Sequence, residues 1–143
     1  MNKGEIARNY FKSGVNCAQA VALAFKDELN MSEEQIKKIM IGFGGGFGRQ
    51  RLICGAVSGM TMVLSYLKSD GEDKLKCYEL IQKACADFKA EFGTLICAEL
   101  LEGKVKVTTN PNPDARTKEY YAVRPCDEIC AVAANIAQKY GGE

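Results

Sequence analysis

The 143 residues are 47% hydrophobic and 26% charged, the balance of an ordinary folded domain, which excludes disordered, collagen-like and low-complexity chains. Nineteen basic against eighteen acidic residues leave a net charge of +1, so no basic footprint for nucleic acid and no polybasic membrane patch exist. Histidine is absent, which excludes histidine-based hydrolysis, His-ligated metal sites and haem attachment through C-x-x-C-H.

In chain order, Ile6 to Phe11 reads as a short amphipathic segment. Val15, Ala18, Val21, Ala22, Phe25 and Leu29 then recur at helical spacing and predict a long helix from about Asn16 to Leu29. Ser32 starts a second helix with an acidic first turn, burying Ile36, Ile39 and Met40 before Gly42 ends it. Next comes GFGGGFG, from Gly42 to Gly48. Leu52 to Leu67 carries no charge and predicts a central helix buried on most sides, too short and too rich in Gly, Ser and Thr to span a membrane. Gly55 and Gly59 inside it imply that a second backbone approaches closely, since each glycine costs about 1 kcal/mol against alanine there.

Asp73 to Phe92 gives a further helix with a stripe of Cys77, Leu80, Ile81, Ala84, Phe88 and Phe92. Gly93 stops it, and Thr94 can cap a short helix carrying Cys97, Leu100 and Leu101. Gly103 to Arg116 is the one long loop, with an extended stretch at Val105 to Thr108. Pro125 suits the first position of a last helix running to about Tyr140. The expected architecture is all-α, a single-domain bundle over residues 1–143 of five or six helices around a buried central helix.

Seven cysteines are too sparse for a disulfide scaffold and odd in number, and Met1 to Ser13 has no secretory pattern. The expected location is therefore a reducing cytoplasm, where clustered cysteines serve metal, cluster or thiol chemistry. No C-x-x-C occurs, so any site is assembled from remote positions. Cys17 follows the candidate cap Asn16, Cys54 follows the glycine-rich loop, Cys97 follows Thr94 by three residues, and Cys126 follows Pro125. All four fall in or near a first helical turn, where free N–H groups and the helix dipole favour thiolate over thiol. Arg49 and Arg51 near Cys54, and Arg124 near Cys126, add positive charge. These four form the candidate ligand or redox set, while Cys77 and Cys85 read as core residues and Cys130 as either core or a substitute ligand.

The glycine-rich loop matches neither dinucleotide nor P-loop patterns. Its backbone N–H groups at Gly44, Gly45, Gly46 and Gly48 are candidates to face an anion or a cluster sulfur, although close backbone approach beside Cys54 is the preferred reason for the glycines. Acidic residues show no pairing for acid–base catalysis.

At NCAQAV (Asn16 to Val21), GFGGGFG, CGAVSG (Cys54 to Gly59), CAELL (Cys97 to Leu101) and Cys126 the chain resembles a family of small redox-active proteins named for four invariant cysteines and a CGAxxG motif. The resemblance carries the family's cysteines onto Cys17, Cys54, Cys97 and Cys126 and implies a redox role. A similar domain occurs in split-Soret cytochromes c, which implies an iron–sulfur centre in a dimeric electron carrier; without histidine, haem does not carry over.

The expected function is a redox protein in which the four cysteines hold a [2Fe–2S] cluster for electron transfer or sensing, or cycle between thiol and disulfide with an unidentified redox partner protein. This makes an electron carrier or thiol redox protein a better description than a substrate-turnover enzyme. A structural four-cysteine zinc site is one alternative, and a helical interaction module, dimerising through the Gly55 and Gly59 face, is another.

Overall fold

The computed structural model describes residues 2–142, and among these it is all helical apart from loops and one isolated antiparallel bridge between Ile53 and Ile96. Asn2 caps α1 (Lys3–Lys12) by accepting from the Glu5 amide at 2.8 Å, and α1 buries Ala7 and Phe11. Asn16 opens α2 (Cys17–Leu23) with a reciprocal capping box: its side chain accepts from the Gln19 amide, and that of Gln19 accepts from the Asn16 amide, both at 2.9 Å. The expected helix from Asn16 to Leu29 is broken at Phe25, whose φ of −111° and ψ of 20° leave helical geometry before α3 (Lys26–Leu29). The buried stripe runs on through Phe25 to Leu29, so periodicity carried no sign of the break.

Ser32 forms a second capping box with Gln35 at α4 (Glu33–Met40). Ile36 and Met40 are buried there, whereas Ile39 lies to one side of their stripe and stays 49% exposed, against expectation. Gly42 does not end the segment; a 3-10 turn (Ile41–Phe43) leads into α5 (Gly44–Phe47), in which Gly45 and Gly46 have φ of 63° and 71° and regular helix is lost. The central helix α6 (Gly55–Lys68) begins at Cys54 rather than Leu52. Asp73 caps α7 (Lys74–Phe92), which ends at Gly93 with φ of 83°. Next come α8 (Cys97–Leu101), a loop without pairing through 105–108, an unanticipated α9 (Lys118–Val123) capped by Thr117, and α10 (Cys126–Tyr140), with Pro125 at the cap itself. Among the described residues six of the α segments are seven residues or longer, matching the expected five or six; α3, α5 and α8 are about one turn each and α9 is just under two.

Helices α2, α6 and α10 pack against one another, with α1 across α2 and α10 and α7 across α6 and α10. Met60, Val63 and Leu64 of α6 meet α2 and α10 residues such as Val21, Ile129 and Ala133 in one buried cluster, each large side chain contributing about 1.5–3 kcal/mol by leaving water. A Cβ at Gly59 would stand 2.9 Å from the Ala18 carbonyl oxygen, and one at Gly55 3.1 Å from the Ala18 nitrogen. The close approach read from the glycine pair is therefore made by α2 of the same chain. Ala18 and Val21 of α2 thus occupy the space beside the glycine pair. No helix of the described residues is long and apolar enough to cross a membrane.

Candidate functional site

The four cysteines stand at helix starts, although Thr94 does not cap α8 as expected: Ile96 is its N-cap, and the Thr94 hydroxyl accepts from the Ile96 amide at 3.0 Å. Cys17, Cys97 and Cys126 are the first residues of α2, α8 and α10, and Cys54 is the N-cap of α6. Two devices draw these starts together. Around the bridge of Ile53 and Ile96, the Cys54 amide donates to the Leu95 carbonyl at 2.8 Å and the Cys97 amide to the Leu52 carbonyl at 2.6 Å, joining α6 to α8. The missing side chain at Gly55 lets α6 meet the start of α2, so that a Cβ there would lie 3.3 Å from the Cβ of Cys17.

Cys17, Cys54, Cys97 and Cys126 all line one cavity of about 550 Å³. Its walls also carry Phe11, Tyr120, Ile129, Leu100 and Leu101, and four arginines, Arg49, Arg51, Arg116 and Arg124, against the single carboxylate of Asp114. Arg51 is only 6% exposed; it donates to the Thr108 carbonyl at 3.0 Å and to the sulfur of Cys97 at 3.6 Å. Arg49 donates to the Asn110 carbonyl at 2.6 Å and pairs with Asp114 at 3.4 Å, and Arg124 also binds Asp114. Arg116 donates to the Phe11 and Val15 carbonyls at 3.0 and 2.9 Å and stacks its guanidinium 4.5 Å from the Phe11 ring centroid and 4.8 Å from that of Tyr120. Arg49 and Arg51 both hold left-handed backbones, with φ of 68° and 65°, an uncommon conformation for residues other than glycine.

Cys17, Cys54 and Cys126 are raised rather than lowered, against the expectation for helix starts. Cys54 is pushed up to about 12 by burial, against the backbone amides of Ala56 and Val57 that favour its thiolate. At Cys17 a hydrogen bond from Cys126 favours the thiolate, but its own bond to Cys130 together with burial holds it well above the usual thiol range. Cys126 is raised by its hydrogen bond to Cys17 and by burial, and Cys130 by burial. At Cys54 the helix-start amides do favour the thiolate, and withdrawal from water outweighs them.

Cys130, fully buried one turn below Cys126, contacts Cys17 and points its sulfur to the Cys17 carbonyl at 3.9 Å, but does not line the cavity. Cys85 packs partly buried against the core as expected, whereas Cys77 sits outside the core cluster with its sulfur 3.9 Å from the Ser65 hydroxyl. Among the glycines, Gly44, Gly45 and Gly48 line the cavity and Gly46 does not. A Cβ at Gly46 would stand 2.6 Å from the Leu52 nitrogen, and one at Gly44 would collide with the Asn16 side chain, so close approach accounts for both. Arg116, Asp114 and Tyr120 were not singled out by sequence reading; they lie in or after the polar loop, where nothing marks which residues turn inward.

The donor set of four thiols suits a soft metal or an iron–sulfur cluster. Among the described residues no group of three or more Cys, Asp or Glu side chains is gathered closely enough to hold a metal ion as they stand.

The fold and cavity thus define a helical bundle with four cysteines presented by four helix starts to one arginine-lined chamber. The chain belongs to the family described as "Putative redox-active protein (C_GCAxxG_C_C)", whose model it matches over residues 15–140, and a redox role follows from that membership. It is also similar to an uncharacterized protein of Archaeoglobus fulgidus, 31% identical over 133 residues, covering 85% of this chain and 81% of the relative. No solved structure matches significantly.

Proposed function

We propose that Cys17, Cys54, Cys97 and Cys126 hold an iron–sulfur cluster of the [2Fe–2S] type and that the protein carries or senses electrons through it. The observation that carries this reading is that four cysteines from four separate helix starts open onto one chamber where guanidiniums outnumber carboxylates four to one. Bound there, such a cluster supplies reversible one-electron chemistry. With four thiolates and an oxidised core it bears two negative charges, which the excess of cavity guanidiniums offsets. The raised thiol pKa values imply that the empty site is protonated and that loading releases protons, since coordination deprotonates thiols. Arg51, donating to the Cys97 sulfur, stabilises negative charge on that ligand.

The test is protein purified without air and assayed for iron, acid-labile sulfide and visible absorption. Iron and sulfide in comparable amounts, each falling sharply in Cys17→Ala, Cys54→Ala, Cys97→Ala and Cys126→Ala, is the expected result. Colourless protein that gains no absorption on incubation with ferrous iron and sulfide overturns it. A second reading is favoured by the contacts of the Cys17 thiol with Cys126 and Cys130: exchange with a partner disulfide, which takes up two electrons and two protons to become a dithiol, joins Cys17 to one of them, and the reverse exchange with a partner dithiol restores the thiols. Mass mapping of iron-free protein after mild oxidation by diamide distinguishes it.

A further inference from the structure

The chamber is larger than the cluster it is read to hold. A two-iron, two-sulfide core has four atoms and takes up about the room of four waters at ~30 Å³ each, so roughly 400 Å³ of the chamber stays open. That remainder falls within the size range of small-molecule sites, which are typically ~300–1,000 Å³, mainly apolar, with a few placed polar groups. The walls have this character. Phe11, Tyr120, Leu100, Leu101 and Ile129 give apolar and aromatic surface, and the charged groups are four guanidiniums and one carboxylate.

Charge makes the case more specific. Asp114 neutralises one guanidinium, and a four-thiolate cluster in its oxidised state neutralises two more, which leaves one positive charge without a counter-charge in the chamber. Arg51 has no carboxylate partner although it is 6% exposed. Arg124 commits one terminal nitrogen to Asp114, and a guanidinium carries five N–H donors. Left-handed backbones at Arg49 and Arg51 turn both side chains to the chamber, and strain of this kind persists where the surrounding structure enforces it, often at ligand sites.

We propose that the chamber binds a small organic anion, with a carboxylate or phosphate group on an apolar body, beside the cysteines. Its headgroup pairs with Arg51 and Arg124, and its body lies against Phe11, Tyr120 and Ile129. This rests on the reading of the chamber as the redox site and extends it from electron carriage to a diffusible substrate or effector.

The experiment is calorimetric titration of the protein, both as purified without air and after iron removal, with phenylacetate, phenyl phosphate and the neutral phenylacetamide. One saturable site per chain is expected, with at least one of the anions binding at least tenfold more tightly than the amide; comparison of the two anions reports which headgroup is preferred. Arg124→Gln should weaken that anion at least tenfold and Arg124→Lys less, and the same anion at saturation should slow alkylation of the iron-free wild-type thiols by N-ethylmaleimide at least threefold. The last measurement needs no variant and so is immune to a misfolded one. Equal binding of amide and anions, or no saturable binding to either form, overturns the proposal. Protein that holds no iron or sulfide as purified without air and yet selects an anion would remove the cluster reading alone.

Discussion

At Cys54 the amides of Ala56 and Val57 favour a thiolate and burial disfavours it, and burial prevails, raising the pKa from the ordinary 9.0 to about 12. In the unfolded chain this thiol ionises near its ordinary value, so between the two values the native state holds a proton that the unfolded state has lost. Stability is therefore full below about pH 9 and declines as pH rises toward 12, by about 1.4 kcal/mol per pH unit for a single such thiol. Iron-free, reduced protein should lose urea resistance between pH 8.5 and 10.5, conditions chosen to bracket that onset, and Cys54→Ala should flatten the slope; equal slopes would show that Cys54 is not the source. Gly59 gives a steric counterpart. Alanine there gains about 1 kcal/mol of helix propensity, but its Cβ meets the backbone carbonyl of Ala18 at 2.9 Å, contact that can be relieved only by moving α2 from α6. Gly59→Ala should lose about 1–3 kcal/mol by chemical denaturation. The alternative, a stabilised protein, would mean that α2 gives way without cost.

At the scale of elements, what could be read from sequence and what could not follows from where caps have signatures. Asn16, Ser32 and Asp73 all accept the bonds expected of an N-cap, so the starts of α2, α4 and α7, and with the first the position of Cys17, were legible, whereas α6, α8 and α10 open without a side-chain cap bond. The break at Phe25 was not, because neither glycine nor proline marks it and the apolar stripe continues to Leu29. Nor was α9 expected, since none of its residues is fully buried and Thr117 is its sole cue. The convergence of the cysteines was beyond sequence reading as well: it depends on the bridge of Ile53 and Ile96, two residues far too few to show strand alternation. Asn16 ties these points to the site, for it caps α2 one residue before Cys17 and also donates to the Ile41 carbonyl at 3.0 Å. Asn16→Ala should cost about 1 kcal/mol in stability and lower iron retained per chain after gel filtration, whereas Asn16→Ser, which can still cap, should restore both. Full iron retention in the alanine variant would detach the cap from the site.

For the whole molecule, the segment from 104 to 117 lies over the thiol chamber with no regular structure of its own, and the arginines fasten it. Arg49 and Arg51 hold the carbonyls of Asn110 and Thr108, Arg116 binds back to Phe11 and Val15, and Asp114 is shared by Arg49 and Arg124. Most of these links end on backbone carbonyls, so the strap is anchored at several points, and Asp114 is the anchor that rests on ion pairing. Its own side chain is 40% exposed, so the loss of this pairing should cost stability little, in the range of about 0–1 kcal/mol measured for exposed ion pairs. Its effect on access should be larger, because opening the strap needs only local contacts to fail and not the core. Asp114→Asn should therefore leave the urea midpoint within experimental error while raising the rate of N-ethylmaleimide reaction at Cys54 and Cys97 several-fold in iron-free protein. High salt should raise the wild-type rate toward that of the variant, since screening weakens the same pairing. Rates that respond to neither change would mean that the chamber is reached by another route and that the strap is wall rather than door.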